Sequence, residues 1–430
     1  MSHESTEPGR GVVYKLPARL SDQLRSLQFD QFFHRYHGTS FSVRTADGWA
    51  WSSATVRTPE FVATFRTREE LDAVIGDARE ATLGRIFLDG DLDIQGNIFA
   101  LVSVAEYTLR HSDGLSSNLI QMIGRISFDF SKRLIPGRKS IAAPNWHRSP
   151  CPLDLPAEFF EPWLGSSLGH FCAQFRNPEE DFESAQRNAL ARVCGWLALD
   201  RGDRILDVGC GWGSLLLYSA EHHGTDALGI TSSGLQAETA MDRICRGGLE
   251  WKCAVSNRDL RASPYPAEAF DKITDLGIFE QVSSSDLGKY LGSLRKMLAP
   301  GGLLLLHRMT RSRGSGPILR SMHPDLLSEP LSKELETAEM VNLELLSVET
   351  LQQEYEETLR VWIARLRQNW ISEISRRYSR EYRAWLLYLV EIATSLYTEE
   401  IQIHQILLRR PRRPSAEKDL DPGVSAWEGG

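Results

Sequence analysis

The chain has 430 residues, of which 42% are hydrophobic and 25% are charged, and its formal net charge is −8. This composition is typical of globular proteins with a sizeable core, and the length predicts two or three domains. The negative charge argues against a general nucleic-acid binder. The six cysteines show no Cys-x-x-Cys spacing, which predicts free thiols in a reducing cytoplasm and no metal site.

The first part of the chain, residues 1–130, predicts a small α+β domain. A helical pattern runs from Leu16 to His37, and strand-like alternation follows from Phe41 to Phe65 with a hairpin turn at 46–48. Thr67 and Glu70 have the spacing of a capping box at the start of the next helix.

Three acids in this domain, Asp89, Asp91 and Asp93, have the alternation of a calcium-binding loop. The twelfth position of such a loop requires a glutamate, and here it is Ala100. We therefore interpret the acids as turn residues.

A basic segment follows the first domain, and residues 131–150 are interpreted as a linker. Five basic side chains lie between Arg125 and Lys139 against one acid, Asp129. Either the segment is a solvated linker, or it contacts anionic lipid headgroups. No apolar run approaches the roughly 20 residues of a membrane span, so any membrane contact is expected to be peripheral.

The most informative stretch begins with the short apolar strand Arg204–Val208. Gly209, Gly211 and Gly213 follow it, and the apolar run 215–218 opens a helix. A glycine loop between a buried strand and a helix lets a ligand approach main-chain N–H groups. The loop lacks the Lys-Ser/Thr ending of a phosphate loop, which argues against ATP or GTP. It resembles the first motif of S-adenosylmethionine-dependent methyltransferases.

Strands and helices continue to alternate after this loop. Further strands are predicted at 227–230, 251–255, 269–275 and 303–307. The alternation predicts a doubly wound, mostly parallel, Rossmann-like α/β sheet, whose ligands bind at the carboxyl ends of the strands. Asp207, Thr231, Glu280 and His307 lie at or just past strand ends and could converge on one cleft.

The last region is predicted to be helical, with lid-like segments. Apolar residues from Leu351 to Trp370 follow a helical period, and seven arginines lie between Arg360 and Arg383 against two glutamates. This basic stretch is either a solvated helix face or a membrane-surface contact. Residues 411–430 are interpreted as a tail.

Several of these motifs together resemble the cyclopropane-fatty-acyl-phospholipid synthases and the related mycolic acid cyclopropane synthases. The likeness extends from about Pro152 to Arg409, and the first domain resembles the family's small lipid-associated domain more weakly, at 59–61 and 83–90. The motifs that carry it are Glu183-Ser-Ala-Gln186, Leu206–Gly213, Gly229–Thr231 with Gln236, Phe279-Glu280, Leu306-His307, and Tyr355 with Trp362.

The resemblance implies a methyltransferase catalytic domain over 151–410. It would methylate the double bond of an unsaturated phospholipid acyl chain and form a cyclopropane. The S-adenosylmethionine site would comprise Asp207, Gly209, Cys210, Gly211, Gly213, Thr231 and Gln236. A bicarbonate ion that serves as the base would be held by Cys172, Glu280, His307 and Tyr355. The resemblance also implies a cytoplasmic, reversibly membrane-associated protein, and it leaves a homodimer open.

The chain departs from the family pattern at 152–154, His170, 256–259, Gln281 and Ile392. His170 stands where the family has tyrosine, and residues 256–259 replace an acidic and aromatic stretch near the adenine. A methyltransferase acting on another small molecule and a catalytically weak lipid-binding relative therefore remain as alternatives.

Overall fold

The structure is a computed structural model, and it describes residues 18–53, 58–76, 86–100, 104, 154–258, 265–277, 282, 285–311, 330–369 and 376–412. The chain divides into two compact units, residues 1–122 and 123–430. The predicted linker 131–150 and the tail from residue 413 lie outside the described residues.

The described residues of the first unit include a four-stranded sheet and the helices α1 and α2. Its elements are α1 (Ala18–Phe33), β1 (Phe41–Thr45), β2 (Ala50–Ser52), β3 (Phe61–Phe65), α2 (Arg68–Gly76) and β4 (Leu92–Gly96). The strand order is β2-β1-β3-β4, in which β1 and β3 are parallel and the other pairs are antiparallel. The α+β prediction for this part of the chain is confirmed.

Local sequence signals in this unit produce the expected geometry. Gly48 has φ +104° in the turn between β1 and β2, a backbone region that favours glycine. The Thr67 amide donates to Glu70 Oε2 at 2.9 Å, and the Glu70 amide donates to Thr67 Oγ1 at 3.3 Å, so the capping box is formed. Asp91 forms an ion pair with Arg66 at 2.7 Å.

The second unit alternates strands with helices around a larger sheet. Its first elements are α3 (Ala157–Leu164), α4 (Phe182–Trp196), β5 (Arg204–Val208), α5 (Ser214–His223), β6 (Asp226–Thr231), α6 (Gly234–Arg246) and β7 (Cys253–Asn257). The remaining elements are β8 (Phe270–Asp275), α7 (Leu287–Met297), β9 (Leu298–Arg311), α8 (Leu331–Met340), β10 (Glu344–Thr350), α9 (Gln352–Gln368), α10 (Ser379–Tyr397) and β11 (Ile401–Arg409).

The seven strands of this sheet follow the order β10-β11-β9-β8-β5-β6-β7. Strands β5 to β9 pair in parallel, and β11 and β10 add an antiparallel edge. The predicted mostly parallel sheet is therefore confirmed. Strand order reverses between β8 and β5, and this reversal places a ligand crevice at the carboxyl end of β5.

Helices cover both faces of the sheet. One face packs against α4, α5 and α6 and includes Ile205 and Leu305, while the other packs against α7 and α8 and includes Leu206 and Leu306. Successive side chains of a strand alternate between the faces. His307, two residues after Leu305, therefore faces the side covered by α4.

The prediction that the last region, from Leu351, is helical is wrong for Ile401–Arg409, and the strand at Glu344–Thr350 was not predicted. Glu344–Thr350 and Ile401–Arg409 form the antiparallel strands β10 and β11. Apolar and polar residues alternate in Ile401-Gln-Ile-His404 with the period of two that marks a strand. All of β11 pairs with residues 303–311 of β9, which satisfies its main chain. In the described part of the chain, none of the helices combines the length and the apolarity needed to cross a membrane.

Candidate active site

The glycine loop joins β5 to α5 at the reversal point of the sheet. Gly209, Gly211 and Gly213 have φ of +78°, +53° and +81°, in the left-handed region that glycine adopts without a steric penalty. The amides of Gly209 and Cys210 both donate to the Ile230 carbonyl, at 2.8 and 3.0 Å. These bonds fix the loop against the end of β6.

A side chain at Gly211 would project into open space, because no protein atom lies within 4 Å of a Cβ built there. By contrast, a Cβ at Gly229 would meet Cys210 Sγ and Leu216 Cδ1 at 2.6 Å. Gly229 therefore serves the close packing of β6 against the loop, and Gly211 leaves room in which a ligand can approach the main chain.

Thr231 and Gln236 meet at the carboxyl end of β6. The Thr231 hydroxyl donates to Gln236 Oε1 at 2.6 Å, and the Ser233 amide donates back to Thr231 Oγ1 at 3.2 Å. Gln236 Nε2 is buried and has no hydrogen-bond partner among the described residues. A buried donor left without a partner is costly, so this amide is suited to a ligand. The opening at Gly211 and this donor fit S-adenosylmethionine.

Asp207 is buried near the carboxyl end of β5. Its carboxylate accepts a hydrogen bond from Thr274 Oγ1 of β8 at 2.7 Å, and only 4% of the residue is exposed. Burial raises the pKa of Asp207 to about 7, and the nearby carboxylate of Asp275 acts in the same direction. In this structure the Asp207 side chain therefore links β5 to β8.

The segment before Cys172 is tied to the glycine loop. Arg243 of α6 donates to the Trp212 carbonyl at 2.6 Å and to the Ser167 carbonyl at 2.9 Å. Gln186, from the Glu-Ser-Ala-Gln motif, is fully buried and donates to the Gly169 carbonyl at 2.8 Å. These bonds hold residues 167–172 beside the predicted cofactor loop.

Cys172 is buried against the first turns of α9. The amide of the next residue, Ala173, donates to Thr358 Oγ1 at 3.0 Å, and Thr358 lies one turn after Tyr355. Burial raises the pKa of the Cys172 thiol to about 12, and the Glu354 carboxylate raises it further. The thiol is therefore neutral at physiological pH. Tyr355, on the same helix as Thr358, is half-buried.

His307 lies on β9 with 7% exposure, and its Nε2 is 2.7 Å from Gln405 Oε1 on β11. Burial lowers the pKa of His307 to about 4, with a smaller contribution in the same direction from Arg192. The imidazole is thus neutral at pH 7.

Arg192 of α4 connects the surroundings of Cys172 and His307. Its guanidinium pairs with Glu349 of β10 and lies 3.7 Å from Glu354 of α9. It acts electrostatically on both Cys172 and His307. The structure therefore brings three of the four predicted catalytic residues into one region, while the fourth, Glu280, lies outside the described residues.

A chain of aromatic rings leads from the glycine loop to Tyr355. Trp212 of the loop packs on Phe160 with ring centroids 4.7 Å apart, and Phe160 contacts Trp163 at 5.7 Å. Trp163 then contacts Trp362 at 5.9 Å, and Trp362 contacts Tyr355 at 6.2 Å. These rings form an apolar wall between the two predicted sites.

His170 belongs to this wall, and its ring stacks on Trp362 at 4.9 Å. Burial lowers the pKa of His170 to about 4. Its Nε2 and the indole nitrogens of Trp163, Trp212 and Trp362 are buried without hydrogen-bond partners among the described residues. The wall thus presents several unused donors.

Sequence reasoning missed Gln405 and Arg192. Gln405 lies in a strand that was predicted to be helix, so its pairing with His307 could not be anticipated. Arg192 looked like an ordinary polar position in a helix, and only the fold brings it to β10 and α9.

Comparison with known proteins gives a consistent result. The family described as mycolic acid cyclopropane synthetase matches residues 143–406. The chain is 29% identical to a probable fatty acid methyltransferase of Pseudomonas putida, over 76% of this chain and 82% of that protein. It is 27% identical to the cyclopropane-fatty-acyl-phospholipid synthase of Escherichia coli K12, over 60% of this chain and 66% of that enzyme.

Among solved structures, the fold resembles mycolic acid cyclopropane synthase CmaA1 complexed with SAH and CTAB. The TM-score is 0.55 at 22% identity, and the match covers 60% of this chain and 98% of that one. At this level of identity, the likeness establishes the fold alone.

Proposed function

Because the chain belongs to the mycolic acid cyclopropane synthetase family of S-adenosylmethionine-dependent methyltransferases, we propose that it methylates a double bond in the acyl chain of a phospholipid. The product would be a cyclopropane, with bicarbonate as the base. The aromatic chain that links the glycine loop to Tyr355 is the observation that carries this proposal, because it joins a cofactor site to a water-poor reaction site.

The cofactor side of the proposal rests on the loop and the end of β6. S-adenosylmethionine would supply an electrophilic methyl group on a sulfonium. The main chain at 209–213 would contact the cofactor, and Gln236 Nε2 would donate a hydrogen bond to an acceptor atom of the cofactor. Thr231 orients that amide by donating to Gln236 Oε1. Asp207 and Cys210 would support the loop from the protein side.

An alkene is a weak nucleophile, and its attack on a methyl group leaves a carbocation on the acyl chain. Water would quench this cation, so the site must exclude it. The rings of Phe160, Trp163, Trp362 and His170 form an apolar wall that can do so. Aromatic faces also attract cations, which favours the charged state over the neutral alkene.

Ring closure requires the loss of a proton from the new methyl group. Bicarbonate would supply the base for that step. Cys172 and His307 are buried and neutral, so they can hydrogen-bond bicarbonate without adding a charge of their own. Tyr355 is proposed as a further ligand of the ion. Glu280 is proposed as the fourth member of this set.

The substrate of the proposed reaction lies in a bilayer, so the protein would bind membranes reversibly from the cytoplasm. The arginines between residues 360 and 383 contribute less than their number suggests. Arg365 pairs with Glu183 and Arg377 with Glu158, while Arg383 is 6% exposed. The remaining basic side chains and the segment 125–139 are the proposed contact. A homodimer remains compatible with this proposal.

Fatty-acid profiling of a bacterial host tests the proposal. Cells expressing the parent chain should gain fatty acids that carry one additional CH2 group, and cells expressing Gly211→Val at the same level should not. An unchanged lipid profile together with measurable cofactor binding would favour a small-molecule methyltransferase. An unchanged profile without cofactor binding would favour a catalytically weak lipid-binding protein.

A further inference from the structure

Three side chains form a row across the antiparallel edge of the large sheet. Glu349 of β10 lies opposite Gln405 of β11, and Gln405 lies opposite His307 of β9. Residues directly opposite each other on neighbouring strands point to the same face of the sheet. The row therefore lies on the face covered by α4, where Arg192 pairs with Glu349.

The contact between Gln405 and His307 determines which nitrogen of the imidazole carries the proton. Gln405 Oε1 can only accept a hydrogen bond, and it lies 2.7 Å from His307 Nε2. Nε2 must therefore carry the proton. In a neutral imidazole the other nitrogen, Nδ1, then keeps its lone pair and acts as an acceptor.

Gln405 also has an unused donor. Its Nε2 is buried and has no hydrogen-bond partner among the described residues, although only 2% of the residue is exposed. The amide nitrogen shares a carbon with the oxygen that binds His307, so this donor lies directly beside the imidazole. A buried amide whose oxygen is hydrogen-bonded and whose NH2 group is not is suited to donate a hydrogen bond to an oxygen atom of a ligand.

We propose that Gln405 is a further residue of the active site, which fixes His307 in the tautomer with Nδ1 as acceptor and donates its own amide N–H to an oxygen of the bound base. This inference rests on the proposed function, because it takes bicarbonate as that base. Bicarbonate has both a hydroxyl donor and oxyanion acceptors. His307 Nδ1 can accept from the former, and Gln405 Nε2 can donate to the latter. The pair thus selects one orientation of the ion.

The charges around this pair come from three elements. Arg192 of α4 acts on His307 and is held by Glu349 of β10 and Glu354 of α9. The Cys172 thiol is neutral at physiological pH. Glu349 and Glu354 thus balance the charge of Arg192. Gln405 adds an uncharged, directional contact to His307.

The tautomer is measured on the free protein by nitrogen-15 NMR of histidine-labelled samples, with His307→Asn to assign the signal. The parent should show protonated Nε2 and unprotonated Nδ1 at His307 near pH 7. The reverse tautomer would overturn the inference. This measurement needs neither activity nor a folded Gln405 variant.

The titration of His307 provides the second readout. Gln405→Glu replaces a neutral acceptor with a carboxylate of the same size, and should raise the pKa of His307 by about one to three units. Gln402→Glu is the matched control, since Gln402 is exposed on the same strand and lies opposite Thr310. An unchanged titration in Gln405→Glu, or an equal shift in both variants, would contradict the proposed contact.

Catalysis provides the third readout, with unsaturated phospholipid vesicles and a bicarbonate titration. Gln405→Glu and Gln405→Met should raise the bicarbonate concentration for half-maximal rate at least about tenfold, the effect of a lost positioned hydrogen bond to a charged group. Affinity for S-adenosylmethionine should stay parent-like. Parent-like bicarbonate dependence in both variants would refute the donor role. A parent protein that transfers no methyl group would refute the proposed function instead, and the tautomer would still decide the role of Gln405.

Discussion

Replacing Gly211 with valine should separate cofactor binding from folding. The added Cβ meets no protein atom within 4 Å, so the side chain starts in open space. Its cost in stability comes from the backbone, since φ at this position is +53°. Left-handed backbone costs a residue with a side chain about 1–2 kcal/mol. The valine side chain would instead occupy the space where we expect S-adenosylmethionine to approach the loop.

The matched control is Gly248→Val. Gly248 has φ +64°, and a Cβ built there also meets nothing within 4 Å. It lies between α6 and the start of β7, at the amino ends of the parallel strands, whereas the loop follows the carboxyl end of β5. Both variants should lose about 1–2 kcal/mol of free energy of unfolding in urea titrations. Only Gly211→Val should lose cofactor affinity in calorimetry, by at least about tenfold, equivalent to about 1.4 kcal/mol.

Two results would refute this reasoning. Parent-like affinity in a folded Gly211→Val variant would mean that the loop does not contact the cofactor. Equal loss of affinity in both variants would mean that binding reports the general strain of the fold and not the space at Gly211.

Three further predictions follow from the same structure. Glu280→Gln should lower turnover in the vesicle assay at least about tenfold and leave cofactor affinity parent-like, because it removes an ionisable group next to the proposed base. Parent-like turnover at every bicarbonate concentration would show that Glu280 is not part of the site. Binding in vesicle flotation should favour anionic lipid and weaken with salt through segments 125–139 and 360–383, and equal flotation with neutral lipid would exclude an electrostatic contribution. The free energy of unfolding should fall as the pH drops from 6.5 towards 4, because the pKa of His307 is lowered from 6.5 to about 4 and the unfolded chain binds the proton first. In urea unfolding, a folded His307→Gln variant should show a shallower pH dependence than the parent. An unchanged pH dependence in this variant would contradict the burial of a neutral imidazole.

Local sequence signals predicted the parallel part of the fold well. The apolar strand at 204–208 and the glycines after it predicted both the loop and its place at the carboxyl end of β5, since turn geometry and strand burial are encoded within a few residues. The helical period from Leu351 onwards likewise predicted α9. Strands β10 and β11 were missed because they form through contacts that are distant in sequence. Two helices separate them along the chain, β11 pairs with β9, and β10 pairs with β11.

The residues of the candidate site likewise fall into those predicted from local motifs and those whose role depends on contacts distant in sequence. Motif spacing pointed to Thr231, Gln236 and His307. Thr231 ends β6 and Gln236 lies in the first turn of α6, whereas His307 lies inside β9, which extends beyond the predicted strand. Arg192 and Gln405 have no such signal, because their roles depend on which side chains face them across the sheet and from α4. The orphaned amides of Gln236 and Gln405 are also visible only once every neighbouring donor and acceptor has been placed.

The most direct test of the proposed reaction uses S-adenosylmethionine with a fully deuterated methyl group and vesicles of an unsaturated phospholipid. Mass spectrometry of the released fatty acids then counts the deuterium atoms transferred by the purified protein. Ring closure removes one hydrogen from the new methyl group, so the product should retain two of the three deuterium atoms. Retention of all three would indicate a methyl-branched product without ring closure. Lipid free of deuterium, from a protein that binds the cofactor, would contradict methyl transfer to the acyl chain.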